Sequence, residues 1–155
     1  MVWWPAATWA KMRSGEGCQM CASAHMPTND DSDLVLELRA SYARLHRNQT
    51  RPGYTVVILK RHANELYELP PPALRAFWAD VAWVGAAVAD LFAPVKLDNL
   101  VLGHQVPHLH CHVLPQYETD DPLAPIDVNA GTVRLSPTNQ AERVAMLRDR
   151  LLNGG

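Results

Sequence analysis

Residues 106–117 read VPHLHCHVLPQY and set His108, His110 and His112 at alternate positions. Alternation is the period of a β-strand, so these three side chains share one face. Leu109, Cys111 and Val113 then point the other way, towards a core. Spending three of the chain's seven histidines on one strand face is costly as mere structure. Buried imidazoles lose hydration and repel one another when protonated. Near neutral pH an imidazole serves as nucleophile, general base, general acid or metal ligand. The run by itself leaves two chemistries open: a strand-borne metal site, or one imidazole attacking a substrate while its neighbours orient it.

The flanking sequence supplies the rest of a sheet. Lys96 to Leu102 and Leu109 to Leu114 read as strands. Gly103 to Pro107 between them is too short for a helical crossover, so the two pair antiparallel. Tyr54 to Leu59 (YTVVIL) is a β-branched strand. Leu34 to Arg39 alternates apolar and polar residues, and Tyr42 to His46 is a further strand before the loop Arg47 to Gly53. Between these strands Leu74, Phe77, Trp78, Val81, Val84, Val88 and Leu91 recur at spacings of three and four, the stripe of one long helix. Pro72 suits its first turn and Pro94 ends it. A short helix follows Pro5 and stops at Ser14-Gly15-Glu16-Gly17; Pro27 to Asp33 is a polar turn. A last helix starts at the cap Ser136 with Pro137 next, and runs to about Leu152. Strands, long helix, strands, terminal helix: the class is α+β, an antiparallel sheet of about five strands with one long helix and a C-terminal helix.

Composition narrows the function. The chain has 155 residues, the size of one domain (1–155), 48% of them hydrophobic and 19% charged. Its net charge of −2 provides no basic field for nucleic acid. No apolar run approaches the ~20 residues of a membrane span, and the start MVWWPAATWAKMR lacks a signal-peptide pattern. Cytoplasmic residence is the expectation. Three cysteines argue against a disulfide framework. Cys18-Gln19-Met20-Cys21 is a CxxC pair, for which zinc binding, redox activity and an incidental pair of thiols all stand open. No βαβ context supports a thioredoxin-like role. The tryptophans Trp3, Trp4, Trp9, Trp78 and Trp83 are expected to pack rather than to stack on bases.

HLHCHVL matches the pattern His-φ-His-φ-His-φ-φ, with Cys111 an unusual φ. Together with GYTVVILKRHANELYELP, which carries a KxH segment, the strand KLDNLVLG and the tail HVLPQYETDDP, the chain resembles the histidine-triad (HIT) family of nucleotide hydrolases and transferases. Within it the small bacterial proteins akin to diadenosine polyphosphate hydrolases are the nearest pattern. The resemblance covers about residues 15 to 125, with the C-terminal helix at about 137–152 beyond it.

The resemblance implies a mechanism and a set of residues. His110 attacks the α-phosphorus of a nucleotide phosphoanhydride, phosphoramidate or related ester, giving a nucleotidyl-imidazole that water or another acceptor resolves. The main-chain carbonyl of His108 fixes the tautomer of His110, and His112 donates to phosphate or leaving-group oxygen. Gln105 and His112 face phosphate. Asn48 stands where the family has an acidic ribose-binding residue, and Asn99 is the substitute for a phosphate contact at which Asp98 would be repulsive. His104 and Gln116 depart from the Asn and Arg of related chains. The resemblance also implies a structural zinc held by Cys18, Cys21, His62 and His108, with four ligands closing the coordination sphere; His25 is an alternative ligand, and strand parity excludes Cys111. The implied partners are a small-molecule nucleotide and a second copy of the chain, paired through the long helix and the neighbouring strand. Trp83, Ala82, Ala86 and Ala87 give that helix a second apolar side. A nucleotide- or zinc-binding protein without turnover is the reading from another class.

Overall fold

The computed structural model describes residues 3–154. Five strands, β1 (Ser32–Glu37), β2 (Ser41–His46), β3 (Thr55–Leu59), β4 (Lys96–Leu100) and β5 (His110–Gln116), form one sheet in the order β1-β2-β3-β5-β4. Every neighbouring pair is antiparallel. The helices are α1 (Ala6–Ser14), α2 (Gln19–Ser23), α3 (Pro71–Phe92) and α4 (Pro137–Asn153).

The register sorts the side chains onto two faces. Ala43, Val57 and Cys111 lie in one row across β2, β3 and β5, and the next row runs Arg44, Val56, His112 and Leu100. The first face is sealed by α3 and α4: Phe77, Val81, Val84 and Val88 meet Val57, Leu59, Cys111 and Val113, with Val144, Leu147 and Leu151 completing the core. The second face carries Tyr54, Val56, Ile58 and Leu114 under a thinner cover that includes Met20, Ala24 and Val128. All five residues of β3 are therefore buried, which is why that strand reads as a continuous apolar run rather than an alternation.

α3 begins with Pro71 and Pro72 and ends at Ala93, whose φ of 46° turns the chain just before Pro94. Ser136 caps α4 by accepting from Asn139 N at 3.2 Å. Three expectations need correction. β1 begins at Ser32, and a bulge between Leu34 and Leu36 breaks the alternation, so Val35 and Leu38 are buried while Leu34 and Leu36 are half-buried. Trp78 does not join the core stripe of α3, because Phe77 beside it takes the buried position; Trp78 and Trp83 are each 37% exposed. Ala87 is fully buried, leaving Ala82 and Ala86 on the outer side.

Two polar devices hold the thinner cover in place. Arg44 is fully buried, and its guanidinium donates to Ser32 Oγ (2.8 Å), Ser32 O (2.8 Å), Ala24 O (2.7 Å) and Met26 O (2.6 Å). The long segment between β5 and α4 is tied down by Asn48, which donates to Ala130 O (3.1 Å) and Gly131 O (3.0 Å), and by Gln49 N to Val133 O (2.8 Å). No helix among the described residues is long and apolar enough to cross a membrane.

Candidate active site and metal centre

β5 starts at His110, so only two of the three alternating histidines stand on its open face. His110 and His112 line a cleft of about 550 Å³ whose walls also include His46, Asp31, His104, Gln105 and Val128. His110 is buried, and its Nδ1 lies 2.6 Å from the carbonyl of His108. A carbonyl only accepts, so Nδ1 carries the proton and Nε2 keeps its lone pair. That nitrogen is 3.1 Å from His112 Nε2. On its other side His112 Nδ1 meets the Tyr54 hydroxyl at 2.6 Å. Burial lowers the pKa of His110, and burial followed by the neighbouring His110 and His46 lowers His112 to about 3. Both rings are neutral at pH 7, the form an attacking imidazole requires.

His108 departs from the three-in-register expectation. The residue precedes β5, its N–H turns back to Val106 O, and its ring leaves the cleft for the CxxC pair. His108 Nδ1 is 3.4 Å from Cys18 Sγ, 3.4 Å from Cys21 Sγ and 3.2 Å from His62 Nδ1; Cys21 Sγ lies 3.5 Å from His62 Nδ1. These four ligand atoms all lie within 4.8 Å of one another. A tetrahedral ion with bonds of about 2.0–2.3 Å separates its ligands by about 3.3–3.8 Å. The far ring nitrogens face carbonyls, His108 Nε2 to Leu59 O at 2.8 Å and His62 Nε2 to Arg13 O at 3.0 Å. Each Nε2 is thus the protonated nitrogen, and two bare Nδ1 atoms face each other beside two thiols. Two thiol protons or one cation could satisfy that convergence of lone pairs, and the carbonyl partners are of the kind that orient metal-binding imidazoles. Burial, then the Cys18 hydrogen bond and charge, push the Cys21 thiol up to about 11. Gly15 follows α1 at φ +85°, where a Cβ would sit 3.2 Å from the His62 ring.

The remaining candidate residues divide. Gln105 and His104 line the cleft, and His104 O accepts from Trp4 Nε1 at 2.8 Å. Asn48 is corrected: its amide is fully used by the strap and by Thr50, and it does not line the cleft. Asn99 is also corrected, since it pairs with Val113 on the helix-facing side of the sheet, opposite His112. Asp98 and Gln116 bond each other at 2.8 Å near the far end of β4 and β5. His25 is exposed and outside the four-ligand cluster. Cys111 is buried in the core, which pushes its thiol up to about 12. Tyr54, His46 and Asp31 were not singled out from the sequence. The parity of YTVVIL puts Tyr54 on the side of Val56, but placing it against His112 takes the β3–β5 register.

The HIT domain model matches residues 28–119, more than half of the chain. The chain belongs to the HIT family. The family's members are in general nucleotide-binding hydrolases or transferases. This HIT chain is 29% identical over 117 residues to the Protein hit of Bacillus subtilis, covering 71% of the chain and 78% of that relative. Among solved structures it superposes on a histidine triad protein of Marinobacter aquaeolei with a TM-score of 0.71 at 24% identity, over 79% of this chain and 90% of that one. A zinc-bound histidine triad protein of Mycobacterium smegmatis matches with a TM-score of 0.61 at 22% identity, over 87% and 93%. These likenesses agree on the HIT fold: a five-stranded antiparallel sheet with helices, α+β.

Proposed function

We propose that this protein hydrolyses nucleotide phosphoanhydrides, with dinucleoside polyphosphates as the substrate class, through a nucleotidyl-histidine intermediate on His110. The observation that carries the reading is the 2.6 Å contact from His110 Nδ1 to the His108 carbonyl, which leaves Nε2 unprotonated beside His112 on a ring that lines the cleft. In the first step the Nε2 lone pair forms a bond to the α-phosphorus while the bridging P–O bond breaks, and the leaving phosphate departs with that electron pair. In the second step water forms the new P–O bond, the P–N bond returns its pair to Nε2, and one proton passes to solvent. One hard displacement becomes two easier ones. His112 contributes a hydrogen bond to the phosphoryl oxygens or the leaving oxygen. Gln105 reaches phosphate, and Asp31, exposed on the cleft wall near His46, takes the sugar hydroxyls in place of Asn48. Phosphoramidate hydrolysis and nucleotidyl transfer share the first step and differ in leaving group or acceptor. A binder without turnover shares the cleft alone.

A zinc ion held by Cys18, Cys21, His62 and His108 belongs to this proposal, supported by the convergence of those four groups and by the zinc-bound relative. Four protein ligands make a structural centre, which fixes the main-chain carbonyl of His108 under His110. The deciding experiment quenches the protein during turnover of diadenosine tetraphosphate and maps the adduct by mass spectrometry. One nucleoside monophosphate on the peptide at His110, absent in His110→Ala, is the expected result. Free imidazole is expected to restore part of the turnover in His110→Gly. Full activity in His110→Ala ends the reading, and a label on Cys111 reassigns the nucleophile.

A further inference from the structure

The hydrogen-bond chain through the cleft has one end whose direction is fixed by chemistry. The His108 carbonyl accepts only, so His110 Nδ1 holds the proton and His110 Nε2 is bare. Two bare nitrogens at 3.1 Å would repel, so with neutral rings the proton between the histidines sits on His112 Nε2. His112 Nδ1 is then the acceptor, and the group 2.6 Å from it is the Tyr54 hydroxyl. No other partner of that hydroxyl occurs among the described residues, so the reverse direction would also strand the phenolic proton in a buried site. Tyr54 is 2% exposed, and its ring lies against His46, with ring centroids 4.5 Å apart and planes at 19°. His46 is itself locked by accepting Asn48 N at Nδ1, 3.0 Å away.

We propose that Tyr54 is a positioning residue that sets the tautomer of His112, donating its phenolic proton to Nδ1 so that Nε2–H faces His110 and the reacting phosphate. The role rests on the reading of His110 as nucleophile, which needs a donor beside it and not a second lone pair. His46 holds the phenol in place, and Tyr54 touches neither phosphorus nor leaving group. Burial and the nearby Asp31 carboxylate both raise the phenol's pKa, which keeps it a protonated donor.

The test begins with the unmodified, zinc-replete protein. Ring-nitrogen NMR of labelled histidine is expected to show His112 as the Nε2–H tautomer with Nδ1 shifted by a strong hydrogen bond. His112 as the Nδ1–H tautomer overturns the proposal, whether or not the protein turns anything over. In Tyr54→Phe the Nδ1 signal is expected to move and the tautomers to mix. Formation of the His110 adduct from diadenosine tetraphosphate is expected to slow by roughly 10²-fold, with the affinity for adenosine monophosphate unchanged. An unchanged His112 spectrum in that variant overturns the proposal. If no adduct forms even in the unmodified protein, the hydrolase reading fails while the spectra still decide the role of Tyr54.

Discussion

His108 reaches two neighbouring clusters with different parts of one residue: its carbonyl accepts from His110 Nδ1, and its ring converges with Cys18, Cys21 and His62. Burial brings its imidazole down to about 4, so the ring is neutral at pH 7, the form the proposed zinc site requires. Elemental analysis of protein purified without added metal is expected to find about one zinc per chain; its absence, with Cys18 and Cys21 freely titratable in the fold, would sink the zinc proposal. Loss of one ligand in Cys21→Ser is expected to weaken zinc retention and, through the displaced His108 carbonyl, to lower turnover without touching the cleft. Arg44 is a second residue whose weight is invisible in isolation. Arg44→Met strands four acceptors that a buried guanidinium now satisfies. Such a loss is expected to cost about 3 kcal/mol or more in urea unfolding.

At the scale of elements, the outer side of α3 and the strand β4 remain uncovered. β4 is the last strand in the sheet order, so one row of its backbone groups is unpaired. Trp78, Trp83, Ala82 and Ala86 face outward from α3. A second copy paired two-fold through this helix and edge would cover both, joining two small sheets into a larger one. Light scattering is expected to report the mass of two chains; 17.2 kDa across micromolar concentrations refutes the dimer. The same packing logic explains why the alternation in Leu34–Arg39 misled and the stripe of α3 did not. A helix stripe has several turns over which one misplaced residue averages out, whereas a single bulge between Leu34 and Leu36 moves every later side chain of a short strand to the other face.

Across the whole molecule, His46, His108, His110 and His112 are all held neutral by burial. Their folded pKa values lie below the ordinary 6.5, so the unfolded chain binds more protons in the interval and stability rises with pH there. Stability is therefore full above about pH 6.5 and is lost as pH falls towards 4 and 3, the values of His108 and His112. A tenfold weaker proton affinity at one such ring corresponds to about 1.4 kcal/mol, and in the proposed zinc site proton competition at His108 and the thiols would favour metal loss in the same direction. The urea midpoint measured from pH 8 to about 4 is expected to stay level and then drop; a midpoint that rises on acidification contradicts the buried-neutral assignment.

What the linear chain determined was local and periodic: the β5 strand with its imidazoles, the β-branched β3, the stripe and proline bounds of α3, and the Ser136 cap. These follow from side-chain period and backbone chemistry within a few residues. The convergence of Cys18, Cys21, His62 and His108 was legible too, though only through the family pattern, because no spacing rule spans from Cys18 to His108. Tertiary structure alone decided the rest. Asn48 and Asn99 look like polar candidates in sequence, yet one is used up by a strap eighty-odd residues away and the other lies on the wrong side of the sheet. Tyr54 reads as the first residue of an apolar strand. It becomes the donor to His112 because β3 pairs with β5 in one register, and register is a long-range choice made by packing both faces of the sheet at once.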